Sequence, residues 1–282
     1  MAVDANLSPR QPANEENSIS RQYWPHLGVL ALAIIVSLIL VFLILPTLIV
    51  VPMSFGNASY IEFPPKNLTF RWYLIYLTDP EWLAATWFSL RIALATMVSA
   101  TIVGTMAAIA LVRGNLPGAQ ILHALSLSPL VVPHIVIAVA LYLVFAPIGL
   151  TGNFVGFLLA DTMLAVPYVV ITTSAALRNF DASIELAALN CGASRLRAFF
   201  AVVLPDIAPG VAAGAVFAFL ASFDEATVAF FISGIEGKTI TRKLFEDIDF
   251  NLTPFIAAVS TVMVLLSLVL MGMVELSRRA RA

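Results

Sequence analysis

Cysteine is almost absent from this chain of 282 residues: Cys191 stands alone. A single thiol excludes an intramolecular disulfide and a cysteine-based metal centre, and it reads most simply as a small buried residue. Histidine is scarce as well. His26, His123 and His134 lie far apart and lack the spacing of a ligand set, so no metal site is expected. Charge of either sign is thin, at 11% of residues, and the formal net charge of -2 offers no electrostatic case for a nucleic-acid partner. No pairing of nucleophile with base supports catalysis. The chain is therefore expected to be no enzyme and to bind no cofactor of its own.

What fills the space left by polar residues is hydrocarbon. Hydrophobic residues make up 60% of the chain and mean hydropathy is +0.95, more apolar surface than a soluble domain of this length could cover. A helix needs about 20 apolar residues to cross a bilayer core. Six segments meet that test, approximately 27–53, 84–112, 119–146, 153–177, 208–233 and 254–276. The expectation is an all-α, polytopic membrane protein with six transmembrane helices over 27–276. Residues 1–26 are polar and hold Pro9 and Pro12, as a flexible tail would, and 277–282 form a short second tail. The first apolar run is too long for a signal peptide and lacks an Ala-x-Ala cleavage site, so it reads as a retained helix and the mature chain is expected to begin near Met1.

An even number of spans puts both ends on one side. With cytoplasmic termini, that side holds nine arginines: Arg10, Arg21, Arg113, Arg178, Arg195, Arg197, Arg278, Arg279 and Arg281. The outer loops then hold only Lys66, Arg71, Lys238, Arg242 and Lys243. The positive-inside rule favours this orientation. Of the two long outer segments, 54–83 carries Trp72, Tyr73 and Tyr76, which suit an interfacial belt or surface helix. The other, 234–253, contains Gly237-Lys238-Thr239. The glycine that a phosphate loop needs five positions earlier is Ile232, so nucleotide binding is rejected and energy must come from another chain.

The loop 179–207 is amphipathic. Asp181 or Ser183 can cap a first short helix, Gly192 tolerates a left-handed turn at its end, and Ser194 can cap a second. Leu196, Phe199, Phe200 and Val203 then recur at helical spacing, and Pro205 disfavours helix at Leu204, so the second helix is expected to stop there. This pattern resembles the cytoplasmic "EAA" loop of ABC import permeases: Glu-Ala-Ala, three residues, Gly, nine residues, Ile-x-Leu-Pro. Here Ala187, Ala188, Gly192, Val202, Leu204 and Pro205 fill those positions. Leu186 stands where the family has glutamate, and Glu185 lies one residue earlier. Whether Glu185 supplies the missing carboxylate is open at this point. The resemblance implies that Glu185, Ala187, Ala188, Gly192, Leu196, Phe199, Leu204 and Pro205 couple the chain to a cytoplasmic ATPase.

Ser222-Phe223-Asp224-Glu225 falls within the fifth expected span, where an acidic side chain facing lipid costs about 3 kcal/mol. These carboxylates must face protein or water. On a helix they point about 100° apart, so one is expected to face a translocation path, where it would meet a cationic substrate, and the other a neighbouring helix or the outer vestibule. A purely structural pairing, for instance with Arg91 in the second span or with a partner subunit, is the other reading. Pro129, Pro133 and Pro167 permit bends in the third and fourth spans. From Ser222 onward the chain is similar to the polyamine subfamily of these permeases, through Phe231 to Gly234, Thr239, Thr241 and the run from Pro254 to Thr261.

The resemblance implies a type I importer permease with a core over 84–233 that forms half of a path for a small organic solute, a polyamine, with Ser222, Phe223, Asp224 and Glu225 along it. It implies residence in a bacterial inner membrane among lipid. The partners would be two copies of an ATPase carrying ATP and Mg, a second permease chain, identical or homologous, and a periplasmic substrate-binding protein. The alternative is a stand-alone secondary transporter or channel that uses Asp224 or Glu225 as an ion site, a class marked by broken helices in inverted repeats.

Overall fold

The computed structural model describes residues 16–114, 116–234, 237–250 and 253–279. The expected tail segments 1–15 and 280–282, with Arg10 and Arg281, lie outside the described residues. The chain divides into two compact units at Pro52/Met53. The first holds helix α1, Glu16–Met53, which begins within the expected tail and not at its end. Its segment Gly28–Met53 is long and apolar enough to cross a membrane.

The second unit opens with a loop closed by an antiparallel bridge between Gly56 and Leu68 and by Trp72 Nε1 donating to the Gly56 carbonyl at 2.7 Å. Trp72, Tyr73 and Tyr76 lie on a short helix, α2 (Arg71–Thr78), one of the two arrangements expected of the aromatic cluster, with Tyr76 buried. Helix α3 (Pro80–Arg113) follows at once: Asp79 accepts from the Glu81 and Trp82 amides, and Pro80 takes the first turn, where its missing N–H costs nothing. The buried stripe of α3 is built from small residues, including Ser89, Ala93, Ala100, Gly104 and Ala108. They let α3 come close to helix α6 (Phe154–Asn179). A Cβ on Gly104 would lie 2.6 Å from Cβ of Val169, so only glycine fits that crossing.

Between α3 and α6 the third expected span is not one helix. It is α4 (Ala119–Val131) and α5 (His134–Phe145), bent by 100° at the intervening pair. Pro133 offers no N–H and pushes Val132 into extended backbone (φ -73°, ψ 131°), which separates the two helices. Pro129 and Pro167, by contrast, sit inside continuous helices.

Past α6 come α7 (Ala182–Asn190) and α8 (Arg195–Ala198), and here a second expectation fails. The helix does not stop at Leu204. It continues through a π-helical turn, Phe199–Val203, into α9 (Leu204–Phe223). The Leu204 N–H reaches back to the Phe199 carbonyl, and this widened turn makes room for the Pro205 ring in the first turn of α9. The fifth span also ends early, since α9 stops at Phe223 and the chain resumes helix only in α10 (Thr227–Ile232). Helix α11 (Ile240–Phe250) and the apolar α12 (Pro254–Arg279) complete the described fold. Helices α3, α6 and α9 pack on one another to form the centre of the bundle. Among the described residues five helices are long and apolar enough to span a membrane, and the bent α4–α5 pair makes a sixth crossing if it counts as one span.

Candidate functional site

Two helix breaks meet at one place in the bundle. Asp224 ends α9, with its N–H on the Leu220 carbonyl, and Glu225 begins the non-helical step to α10. Glu225 is 8% exposed and both of its carboxylate oxygens are engaged. Oε1 accepts the Val228 amide at 2.9 Å, at the start of α10, and Oε2 lies 3.1 Å from Nδ1 of His134, the first residue of α5. Its carbonyl accepts from Oγ1 of Thr241 on α11 at 3.0 Å. The partner of Glu225 is thus a histidine at the other break, and Arg91 takes no part.

Asp224 differs from its neighbour. Its carboxylate is exposed, and among the described residues no hydrogen bond or ion pair engages it. It borders a cavity of about 760 Å³ whose wall includes His134, Tyr168, Phe217, Glu225 and Phe245. Tyr168 and Phe217 are stacked there, with centroids 6.3 Å apart. The size is that of a small-molecule site, and the wall is mostly apolar with few polar groups. The cavity can therefore hold a small molecule with a cationic end against Asp224.

Of the four residues expected along a path, two present carboxylates to the cavity. Phe223 is buried, stacks on Phe219 at 5.5 Å and also lines the cavity. Ser222 points the other way, donating from Oγ to Oδ2 of Asp161 at 2.6 Å in the packed interior. Asp161 was not singled out from the sequence, although an acid within the apolar run 153–177 demands a partner for the same reason as Asp224 and Glu225. Arg91 opens instead on a second cavity, of about 700 Å³, bordered by Glu81, Lys238, Lys243, Glu246 and Asp247. There Glu246 binds Lys238 and Arg242. Burial raises the Glu246 pKa, yet the hydrogen bonds and charges of these two partners outweigh it and hold the carboxyl below its usual range. Burial pushes the neighbouring Asp247 up.

At the other end of α3 lies the loop built by α7 and α8. Asp181 Oδ1 accepts the Ser183 amide at 2.9 Å and caps α7. The Ser183 backbone and side chain hold that carboxyl below its usual range. Gly192 has φ +89°, and the space around its missing Cβ is open, so backbone conformation alone demands glycine. Ser194 caps α8 by accepting from the Arg197 amide at 3.3 Å. Cys191, expected to be buried, is exposed on this loop.

The coupling candidates divide by face. Leu196 (72% exposed) and Leu186 stand out toward solvent together with Ile184 and Phe200. Ala187, Gly192 and Pro205 are exposed as well, Ala188 less so. Phe199 and Leu204 are partly buried and pack inward on Ala108, Leu177, Phe180, Val203 and Ile207. Glu185 faces inward too and binds Arg113, with Oε2 to Nη1 at 2.6 Å. A step of one residue rotates a side chain about 100° around the helix, which separates Glu185 from the outward Leu186.

Residues 100–282 match the family model of the binding-protein-dependent transport system inner membrane component. The chain belongs to that family. This permease is 31% identical to the spermidine/putrescine transport system permease protein PotC of Haemophilus influenzae over 238 residues, 84% of this chain and 92% of that protein. It is 33% identical to the putrescine transport system permease protein PotI of Escherichia coli K12 over 227 residues, 78% and 80% of the two chains. A shorter match, 33% over 180 residues and 58% of this chain, is to the molybdenum transport system permease protein ModB of the same strain, which it covers to 78%. In fold the permease is similar to a chain of a bacterial ABC transporter that imports the acidic polysaccharide alginate, with TM-score 0.67, 15% identity and coverage of 97% and 99%. It is a permease subunit of an ABC importer and a multi-span inner membrane component.

Proposed function

We propose that this permease forms half of the path by which a small organic cation, a polyamine, enters the cell. The observation that carries the reading is Asp224: a carboxylate with no partner among the described residues, at a helix break, on a cavity of about 760 Å³ walled largely by aromatic and aliphatic side chains. A carboxylate in such surroundings is offset by a passing cation, and the aromatic wall suits an alkyl chain between ammonium groups. The names of the PotC and PotI relatives support the same substrate class. The ModB match is a reason to rest the proposal on the cavity as well as on relatives.

The outward apolar face of α7 and α8 is the docking surface for a cytoplasmic ATPase, present in two copies with ATP and Mg. The arginine bias supports placing this loop and both termini in the cytoplasm. A second permease chain completes the path, and a periplasmic binding protein delivers the substrate. ATP closes the ATPase pair, the loop moves with it, and the spans reorient by alternating access. Helix breaks such as those at Pro133 and after Phe223 are a feature that a stand-alone transporter would share. Family membership, and not the breaks, favours the importer.

The test is uptake of labelled putrescine and spermidine into vesicles holding the complete complex. Asp224→Asn should cut uptake about tenfold or more while the ATPase still co-purifies. Normal uptake by that variant, or a binding protein that takes only neutral or anionic compounds, overturns the cation path and leaves the family assignment in place.

A further inference from the structure

Helix α7 has no buried residue, so packing alone holds its direction weakly. Its charged tie to the bundle is the Arg113 to Glu185 ion pair at 2.6 Å, with each side chain only about a quarter exposed (27% and 25%). The Arg113 guanidinium also lies over the Phe180 ring, 5.1 Å from its centroid. Arg113 is in the last turn of α3, Phe180 caps the C-terminus of α6, and Glu185 is in the first turn of α7. Three elements meet at one guanidinium whose planar, always-charged head suits both contacts.

From that point α3 runs for 34 residues, about 50 Å at helical rise. At its far end Ser89 Oγ accepts the Ile240 amide at 2.8 Å and Glu81 binds Lys243 at 2.7 Å. Both partners belong to α11, which in turn holds the Glu225 carbonyl through Thr241. We infer that Arg113 and Glu185 are positioning residues, a strut that makes α7 and α3 move as one body. Movement imposed on the loop then reaches α3, and through α11 the break beside the cavity, by a route other than α9. Glu185 acts within the permease and does not replace the family glutamate at the ATPase surface. The inference rests on the proposed docking of an ATPase to this loop.

A charge swap separates the two roles of Glu185. In vesicles holding the full complex, Glu185→Gln and Arg113→Gln should each lower substrate taken up per ATP hydrolysed by more than about threefold, while the ATPase co-purifies in normal amount. The double variant Glu185→Arg with Arg113→Glu should recover about half or more of the ratio lost in the singles, since it restores the ion pair while giving up the guanidinium–Phe180 contact and setting each charge against its helix dipole. Should a single variant fail to assemble, Glu185→Asp takes its place under the same criterion. Single variants with an unchanged ratio overturn the strut, and so does a swap no better than the singles, which is the outcome if Glu185 touches the ATPase. Gly192→Asp tests the underlying reading separately. If it leaves ATPase binding and hydrolysis intact, the docking surface is wrong, while the swap still reports on the strut.

Discussion

Asp224 and Glu225 are sequence neighbours in different surroundings, and the difference lies in what their oxygens already hold. Glu225 spends one oxygen on the Val228 amide and the other on His134, so its removal should disturb structure before specificity. Glu225→Gln keeps the shape and can still accept the amide. We expect it to lower the melting temperature of the detergent-purified complex, whereas Asp224→Asn leaves that temperature unchanged and weakens uptake of the cation. A thermal scan beside the uptake assay distinguishes them. Ser222→Ala should be costly in another way: it leaves the buried Asp161 carboxylate without its 2.6 Å donor, a loss of about 1–3 kcal/mol. Ser222→Thr, which keeps the hydroxyl, should retain more stability in the same scan. The sequence made the need for partners legible, because an acid in an apolar run must be matched. It did not make the partners legible. His134 lies 91 positions and Asp161 61 positions before the residues they meet, and only the packing of four helices brings them together.

Helices were read from hydropathy, and hydropathy is blind to interruptions shorter than its window. The α4–α5 pair meets the length test as one span because a single proline between apolar neighbours hardly lowers the average over a window of about 20 residues, although the backbone turns through 100° there. The reverse error occurred at Pro205, where proline predicted a stop and a π-helical turn carried the helix through. Proline therefore broke one helix and not the other, according to whether the preceding turn could widen. Pro133→Ala tests the first case. It restores the missing N–H, so α4 and α5 should gain population as one straighter helix, His134 should draw away from Glu225, and spin labels on the two helices should report a longer separation. An unchanged distance would show that tertiary packing, and not Pro133, sets the bend. At the capped loop, local chemistry was enough: Asp181, Gly192 and Ser194 do what their residue types predicted because each acts within a few positions of itself. The inward turn of Glu185 was out of reach of that reasoning, since its partner Arg113 sits on a different helix.

On the scale of the whole molecule, the question is which energy source moves these helices. The acid–histidine contact between the two helix breaks is an arrangement that an ion-driven transporter could use. If protons drove transport, an imposed pH gradient should support uptake by the permease chains alone. The importer reading predicts otherwise. The outward apolar side chains of the loop, Ile184, Leu186, Leu196 and Phe200, are a surface that a partner must cover, and the chain has no phosphate loop of its own. Vesicles holding the permease pair, the ATPase and the binding protein should take up labelled putrescine only with ATP on the loop side. Dissipating the pH and sodium gradients should leave that rate unchanged, and a hydrolysis-dead ATPase should abolish it. Replacing His134 with glutamine should create no dependence on a gradient. Gradient-driven uptake in vesicles that lack the ATPase would reverse the assignment of the energy source and make the His134–Glu225 contact an ion site in its own right.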